Sequence, residues 1–296
     1  MNILLKSFKK IWVVIPLSIA LSSCLDDNVV DTSASDDEAI DSYLAGNNIN
    51  AERTFSGLRY TVISEGNGAN LESNLVADIS YELSFLESGQ TIENNPSYMF
   101  KPAIGTFAPG LTEGSLLMQE GDNYRFYIPS RLAFGGTSGN FSGVFIPSNS
   151  NFIADVKLNA VRTDAEQKAF EIGLINEHVT NVLEDIIETN ESPSGVVKAV
   201  VTKGVGGDTP YYGAFVTVSY NGSLLNGQEF DRSLEFSIAL DTVSLIKGWY
   251  DAISQMEIGE DAWIVMPSDR AYGATGSADI PPFAPLRFRI RLLGFE

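Results

Sequence analysis

The chain has 296 residues, with 19 Lys and Arg against 38 Asp and Glu and a formal net charge of −19. Its length allows two domains, and its 44% hydrophobic and 19% charged residues are typical of a globular protein. The acidic charge disfavours nucleic-acid binding, which needs clustered Lys and Arg, while the single Cys and single His exclude an intrachain disulfide and a two-His zinc motif.

The first 24 residues have the pattern of a secretory signal. Basic residues precede an apolar segment at 11–21, which is too short to span a bilayer comfortably. The sequence Leu-Ser-Ser-Cys at 21–24 resembles a bacterial lipobox. Residues 1–23 are therefore predicted to be a signal peptide and Cys24 to be the lipidated N-terminus, where several acyl chains would give stable membrane attachment. The alternative is an ordinary signal peptide or anchor followed by a chance Cys.

Acidic residues concentrate outside the candidate domains. Residues 24–56 and residues 163–194 each carry eight acids and one base, so each segment has a net charge of −7. A solvated, self-repelling tether explains this composition. The alternative is that Asp26 and Asp27, just after Cys24, form a surface-export signal.

Two helices are predicted within these acidic segments. Residues 36–48 indicate a short helix in front of the first domain. Residues 164–190 carry an apolar face opposite Glu and Asp, which predicts a connector helix about 40 Å long. The single His, His178, lies on this connector and is predicted to be a surface residue. Each helix is expected to dock on its neighbouring domain, with a dimerisation surface as the alternative, and the oligomeric state stays open.

Two segments of about 100 residues repeat at an offset of 138 positions. The sequence Ser-Gly-Leu-Arg-Tyr-Thr-Val-Ile at 56–63 matches Ser-Gly-Val-Val-Lys-Ala-Val-Val at 194–201, and an Ile-Pro-Ser segment recurs as Met-Pro-Ser at the same offset. A unit of this length is a whole domain. The sequence therefore predicts a tandem duplication, with domains at 57–162 and 195–296.

Strand patterns dominate within each repeat. Residues 215–220 alternate between two faces, and residues 262–266 and 286–292 are also rich in strand-forming residues. An apolar stripe from Leu245 to Met256 predicts one short helix. Many strands with one helix indicate an α+β fold, in which an antiparallel sheet wraps on a short α-helix.

The second repeat carries several short motifs in a fixed order. They are Val-Ser-Tyr-Asn-Gly at 218–222, Gly-Gln-Glu-Phe-Asp at 227–231, Ile-Lys-Gly-Trp at 246–249, Ala-Tyr-Gly at 271–273 and Ile-Pro-Pro-Phe at 280–283. In this order they resemble the FKBP-type peptidyl-prolyl cis–trans isomerases, and the resemblance covers residues 195–296 almost end to end. With its lipobox and leading helix, the chain is similar to tandem FKBP lipoproteins of the Bacteroidota.

The resemblance implies a substrate pocket without metal, cofactor or nucleophile. The residues that correspond to the family's pocket are Tyr220, Phe230, Asp231, Phe236, Leu245, Ile246, Trp249, Tyr272, Ile280 and Phe288. In the family the Trp is the floor under the proline ring, and an Asp faces the twisting amide. The backbone N–H at Ile246 and the hydroxyl of Tyr272 hold ligand carbonyls.

These residue types suit the isomerisation reaction. Rotation about the bond before proline must overcome amide resonance, a barrier of about 18–20 kcal/mol. The twisted amide has a less polar carbonyl than the planar one, so a dry aromatic pocket favours it over the ground state. Taken singly, each aromatic residue could be an ordinary core residue, whereas their combination in the family's order favours a pocket.

Two features depart from the family's pattern. Only five residues separate Phe230 from Phe236, so the rim of the pocket is shortened, and Ser277 stands where a His is common. The first repeat departs further, because its residues at the pocket positions are Tyr81, Ile92, Glu93, Leu111, Phe134, Ile146 and Ala154. It is predicted to be an FKBP-like domain without isomerase activity.

The sequence thus predicts a peptidyl-prolyl isomerase that assists the folding of envelope or exported proteins. Its active site is expected in the C-terminal domain, its clients are proline-containing polypeptides, and its lipid anchor places it in the bacterial cell envelope, at the outer membrane. One alternative is a chaperone that binds proline segments without turnover. The other is a structural lipoprotein of an envelope assembly.

Overall fold

The computed structural model describes residues 32–241, 243 and 245–296. The predictions on the signal segment, the lipobox and Cys24 therefore concern residues outside the described range. Within that range, no helix is long and apolar enough to cross a membrane.

The first repeat folds around a six-stranded antiparallel sheet. Strands β1 to β8 of this repeat are Glu52–Arg53, Arg59–Ser64, Val76–Phe85, Thr91–Phe100, Asn123–Ile128, Gly139–Phe141, Val144–Ile146 and Phe152–Arg162. The sheet order is β1-β2-β5-β8-β3-β4, while β6 and β7 form a separate hairpin. A short helix, Pro109–Ser115, places Leu111 in the core against β5 and β8.

The second repeat has the same topology. Its strands β9 to β14 are Glu188–Glu191, Val197–Thr202, Phe215–Leu224, Glu229–Ala239, Asp261–Met266 and Leu286–Phe295, and its short helix is Lys247–Ile253. From β9, the sheet order β9-β10-β13-β14-β11-β12 matches that of the first sheet from β1. The predicted tandem duplication and the α+β class are therefore confirmed. The predicted alternation also holds in β11, where Val216 and Val218 are fully buried and Phe215 is exposed.

A helix precedes each repeat and docks on it. The first of these, Ser33–Gly46, lies close to the predicted 36–48. It buries Ile40 and Leu44 against Tyr127 and Ile153 of the first repeat. Because these apolar contacts are long-range in sequence, they fix the helix to the domain that follows it.

The connector helix begins with a capping box. Thr163 accepts a hydrogen bond from the backbone N–H of Glu166, whose carboxylate accepts one from the backbone N–H of Thr163, and the helix then runs over Asp164–Asn181. The box satisfies N–H groups that have no partner within the helix. Ile175 packs against Val265 of the second repeat, so this helix also docks on the domain that follows it.

The connector helix is shorter than predicted. The helix expected over 164–190 ends at Asn181 and is about 27 Å long. Asp185 adopts a positive φ of 60°, which a helix does not accommodate. The backbone of Glu188–Glu191 then pairs with Val197–Val200 as an edge strand of the second sheet. The tertiary pairing with a neighbouring strand therefore overrides the helical pattern of this segment.

The prediction that His178 is a surface residue is wrong. Only 6% of His178 is exposed, and its Nε2 lies 3.1 Å from Nη1 of Arg287 on β14. His178 shares one face of the connector helix with the buried residues Gln167, Glu171 and Ile175. Because three of these four residues are polar, the face that packs does not show in the apolar pattern.

Candidate active site

A cavity of about 630 Å³ opens in the second repeat, between β11, β12, β14, the helix Lys247–Ile253 and the turn that follows β13. It brings together nine of the ten predicted residues, which are Tyr220, Phe230, Asp231, Phe236, Leu245, Ile246, Trp249, Tyr272 and Phe288. The tenth, Ile280, does not line this cavity. It is buried in the core of the same repeat, and its backbone exchanges two hydrogen bonds with Ser277.

The walls of the cavity are aromatic rings held edge to face. The ring of Trp249 lies 4.9 Å from Tyr220 and 5.3 Å from Phe288, with interplanar angles of 77° and 89°. Phe230 meets Phe288 at 5.6 Å and 82°. Each such pair contributes about 0.5–1.5 kcal/mol beyond its buried area. The rings therefore form a stiff apolar surface around the cavity.

One glycine makes room for this arrangement. A Cβ added to Gly222 on β11 would lie 2.6 Å from the ring of Phe288 and 2.9 Å from that of Phe230. No side chain fits at these distances without moving a wall ring. The glycine of the Val-Ser-Tyr-Asn-Gly motif is therefore needed for the shape of the cavity.

An acidic side chain is fixed at one edge of the cavity. The hydroxyl of Tyr220 donates a hydrogen bond to Oδ2 of Asp231 at 2.7 Å. Burial and this bond raise the pKa of Tyr220 to about 12. Tyr220 therefore remains a donor at neutral pH and holds the Asp231 carboxylate in one orientation.

Three donor groups at the cavity remain without a partner among the described residues. The hydroxyl of Tyr272, a residue that is 38% exposed, makes no side-chain hydrogen bond there, and burial and the charge of Asp231 raise its pKa. The N–H of Ile246, at the cap of the helix Lys247–Ile253, has no backbone acceptor there. The indole Nε1 of Trp249 is buried without a partner. The cavity thus offers N–H and O–H donors within an apolar surface.

The geometry also adds lining residues that were not among the ten predicted pocket residues, although three of them lie within the quoted motifs. They are Ile238, Val243, Lys247, Asp269, Ala271 and Gly273. Ile238 lies two positions after Phe236 on β12, so strand alternation could have identified it. The position of Asp269 could not be identified from its local sequence, because its carboxylate forms a 2.7 Å ion pair with the distant Lys168 of the connector helix. Elsewhere too, the described part of the chain holds no cluster of three or more His, Cys, Asp or Glu that could bind a metal.

The equivalent positions of the first repeat carry different side chains, of which Tyr81 and Glu93 line a separate cavity of about 1280 Å³. Tyr81, Leu111, Ile146 and Ala154 are each at most 4% exposed. The hydroxyl of Tyr81 donates to Glu93 at 2.8 Å. The rings of Phe107, Phe134 and Phe141 pack on one another at centroid distances from 4.8 to 6.1 Å. Phe134 occupies the position of Tyr272, so this repeat lacks the free hydroxyl as well as the tryptophan floor.

Comparison with known proteins identifies both repeats. Residues 68–159 and 206–293 match the family described as FKBP-type peptidyl-prolyl cis-trans isomerase. Peptidyl-prolyl cis-trans isomerase FKBP4 of mouse is 37% identical over 139 residues, which cover 45% of this chain and 30% of that protein. FK506-binding protein 1A of Aspergillus fumigatus is 39% identical over 110 residues, covering 34% of this chain and 96% of that protein. The chain thus spans about a third of the mouse relative.

Solved structures show similarity over part or most of the chain. A peptidyl-prolyl cis-trans isomerase of Pseudomonas syringae is 32% identical with a TM-score of 0.38, covering 45% of this chain and 95% of that one. FkpA of Escherichia coli is 29% identical with a TM-score of 0.38, covering 45% and 60%. The three FKBP domains of wheat FKBP73 are 22% identical with a TM-score of 0.36, covering 83% and 99%.

Proposed function

The chain belongs to the FKBP-type peptidyl-prolyl cis-trans isomerase family, and we propose that its second repeat catalyses cis–trans isomerisation of X-Pro bonds in polypeptides. The observation that carries this proposal is the cavity itself. Trp249 forms an apolar floor, and Tyr220 and Phe288 stand nearly perpendicular or tilted to it and to each other. A proline ring is apolar and compact, and it fits such a floor.

The proposed mechanism uses desolvation and hydrogen bonding. The hydroxyl of Tyr272 and the N–H of Ile246 bind carbonyl groups that flank the proline ring, which orients the peptide. The bond that rotates then lies among aromatic rings. Because the twisted amide is the less polar state, this surface stabilises it relative to the planar amide. A ten-thousandfold acceleration needs about 5.5 kcal/mol of such preference.

No proton transfer is required in this mechanism. The hydroxyl of Tyr220 fixes the orientation of the Asp231 carboxylate, which faces the rotating amide in the proposed complex. Both tyrosines at the cavity have raised pKa values, so they act as neutral donors through the physiological range. The residues thereby bind and orient the peptide, and rotation follows from the environment they create.

The first repeat is proposed to lack this activity. Leu111 replaces the tryptophan floor, Ala154 replaces the Phe288 wall, and Phe134 replaces the tyrosine that carries the free hydroxyl. Its role is then to bind extended polypeptide, to hold the second repeat away from a membrane, or to stabilise it.

A place in the bacterial cell envelope is part of the proposal. The lipobox pattern at 21–24 and the acidic segment after Cys24 support a lipid-anchored protein with a solvated tether. Its clients would then be exported polypeptides that contain proline, which reach the envelope unfolded and fold there.

A pair of tryptophan variants tests the proposed activity. In a protease-coupled assay on Xaa-Pro peptides, the full chain should accelerate cis–trans exchange, and Trp249→Leu should abolish the acceleration because the floor is lost. The matched control is Trp263→Leu, since Trp263 contacts Arg287 and Arg289 outside the cavity lining. Peptide binding without acceleration by the unaltered chain would support the non-catalytic chaperone instead. Equal effects of both variants would contradict the assigned site.

A further inference from the structure

The connector helix holds the turn that carries Tyr272. Oε2 of Glu171 accepts a hydrogen bond from the backbone N–H of Ser268 at 2.7 Å, and Oε1 accepts one from its hydroxyl at 2.9 Å. Glu171 is 2% exposed and Ser268 4% exposed. Both oxygens of the carboxylate therefore accept hydrogen bonds from the same residue of the second repeat, and the contact is buried.

The residue that Glu171 binds belongs to the turn that leads to the cavity. Ser268 begins a single helical turn, Ser268–Arg270, and its carbonyl accepts a hydrogen bond from the N–H of Ala271 at 2.8 Å. Ala271 lines the cavity and immediately precedes Tyr272. A displacement of Ser268 therefore reaches the backbone of Tyr272 through one helical turn and the hydrogen bond from Ala271 to Ser268.

Burial of the Glu171 carboxylate costs free energy, which its hydrogen bonds must offset. Burial raises the pKa of Glu171, and the charge of Asp269 also raises it, although the hydrogen bonds from Ser268 and Gln167 act in the opposite direction. No cation forms an ion pair with Glu171 among the described residues. A buried carboxylate without a cation needs its hydrogen bonds to be well placed. Three hydrogen bonds, two from Ser268 and one from Gln167, meet that need and define one position for the turn.

We propose that Glu171 is a positioning residue for the active site, which sets the place of the Tyr272 hydroxyl by clamping Ser268. This inference rests on the proposed isomerase function. The connector helix also contacts the first repeat, because Nε2 of Gln167 bonds both Oε1 of Glu171 at 3.0 Å and Sδ of Met99 at 3.3 Å. Gln167 thereby links the Glu171 carboxylate to Met99 of the first repeat.

The first repeat contains a matched contact without a matching site. There Asp36 of the helix Ser33–Gly46 accepts hydrogen bonds from the hydroxyl of Ser130 at 2.9 and 3.0 Å. Ser130 is the counterpart of Ser268 at the offset of 138 residues. In both repeats a helix carboxylate therefore contacts this serine, although Asp36 also pairs with Arg131 and the backbone N–H of Ser130 bonds Asn151 instead. It also supplies a control, because Asp36 contacts the repeat that lacks the tryptophan floor and the free hydroxyl of Tyr272.

A double-mutant cycle separates positioning from stability. In the full chain, Glu171→Ala should lower kcat/KM on an Xaa-Pro peptide by about two- to tenfold, no more than Tyr272→Phe does, since it acts through that hydroxyl. The double variant should lose no more than Tyr272→Phe alone. Glu171→Gln, which keeps one acceptor oxygen, should recover part of the activity. Asp36→Ala should lower the thermal stability and leave kcat/KM unchanged.

Each contrary result has one meaning. Full kcat/KM in Glu171→Ala, or losses that multiply in the double variant, would show that Glu171 only stabilises the fold. If Glu171→Ala does not fold, the same cycle with Glu171→Gln decides. If the unaltered chain accelerates no exchange, the proposed function is wrong. The same double-mutant cycle is then measured on the affinity for the peptide. Losses of affinity that multiply in the double variant would again contradict the positioning role of Glu171.

Discussion

Tyr272→Phe removes one hydroxyl from the edge of the cavity and leaves the ring. Tyr272 is 38% exposed, and among the described residues no side chain bonds its hydroxyl. The free energy of unfolding should therefore change by no more than about 0.5 kcal/mol. If the hydroxyl donates to a ligand carbonyl, its loss removes a neutral hydrogen bond worth about 0.5–1.5 kcal/mol. The expected loss in kcat/KM is then about two- to tenfold.

The measurement is a protease-coupled assay on an Xaa-Pro peptide, with urea unfolding of the same samples. The matched control is Tyr211→Phe, because Tyr211 is 62% exposed and does not line the cavity. The control should keep full kcat/KM. Unchanged activity in Tyr272→Phe, or an equal loss in both variants, would refute the role given to this hydroxyl.

The pH dependence of the same reaction tests the absence of proton transfer. Burial and the charge of Asp231 raise the pKa of Tyr272 above its ordinary value of 10.0, so its hydroxyl stays protonated from pH 6 to 8. The rate should be nearly flat across this range, in both the unaltered chain and Tyr272→Phe. A bell-shaped profile with the fold intact would indicate acid–base chemistry and contradict the desolvation mechanism.

Three further predictions concern other parts of the chain. Phe288→Leu loses the ring contacts with Trp249 and Phe230, about 0.5–1.5 kcal/mol each, so both Tm and kcat/KM should fall, the latter further than in Tyr272→Phe. Burial and Arg287 lower the pKa of His178, so the unfolded chain takes up the proton first, and the free energy of unfolding should fall as the pH drops below about 6.5. Urea unfolding at pH 5.5 and 7.5 should show this loss, reduced in His178→Gln. Cys24→Ser should move the protein from the membrane fraction to the soluble fraction, and its persistence in the membrane after signal cleavage would contradict lipidation.

The sequence was most informative where one residue pattern has one structural solution. Alternation over 215–220 predicted β11, and the 138-residue offset predicted two domains whose sheets have the same strand order. The short motifs brought nine cavity residues together because each motif is local and its strand or turn fixes the side chain. Ile280 differs because a tight turn with Ser277 places it in the core, and motif order does not reveal that turn.

The connector helix shows where sequence reasoning failed. Apolar residues continue at helical spacing beyond Asn181, but they lie in a turn, and the polar segment Glu188–Glu191 that follows pairs with Val197–Val200 as an edge strand. The buried face of the helix includes Glu171 and His178, whose partners lie 97 and 109 positions away. A polarity pattern places such residues in solvent, because their burial depends on partners that the local sequence does not contain.

The two repeats differ in whether a proline segment bound on an aromatic floor couples to unfolding. Occupancy of the cavity stabilises the folded second repeat by RT ln(1 + [L]/Kd), about 2.7 kcal/mol at a hundredfold excess over Kd. In the first repeat Leu111 and Ala154 stand in place of Trp249 and Phe288, so a proline segment that needs this floor and wall adds no such term there. If the second repeat binds polypeptide as proposed, its stability rises with the logarithm of the peptide concentration, while that of the first repeat is set by its own side chains.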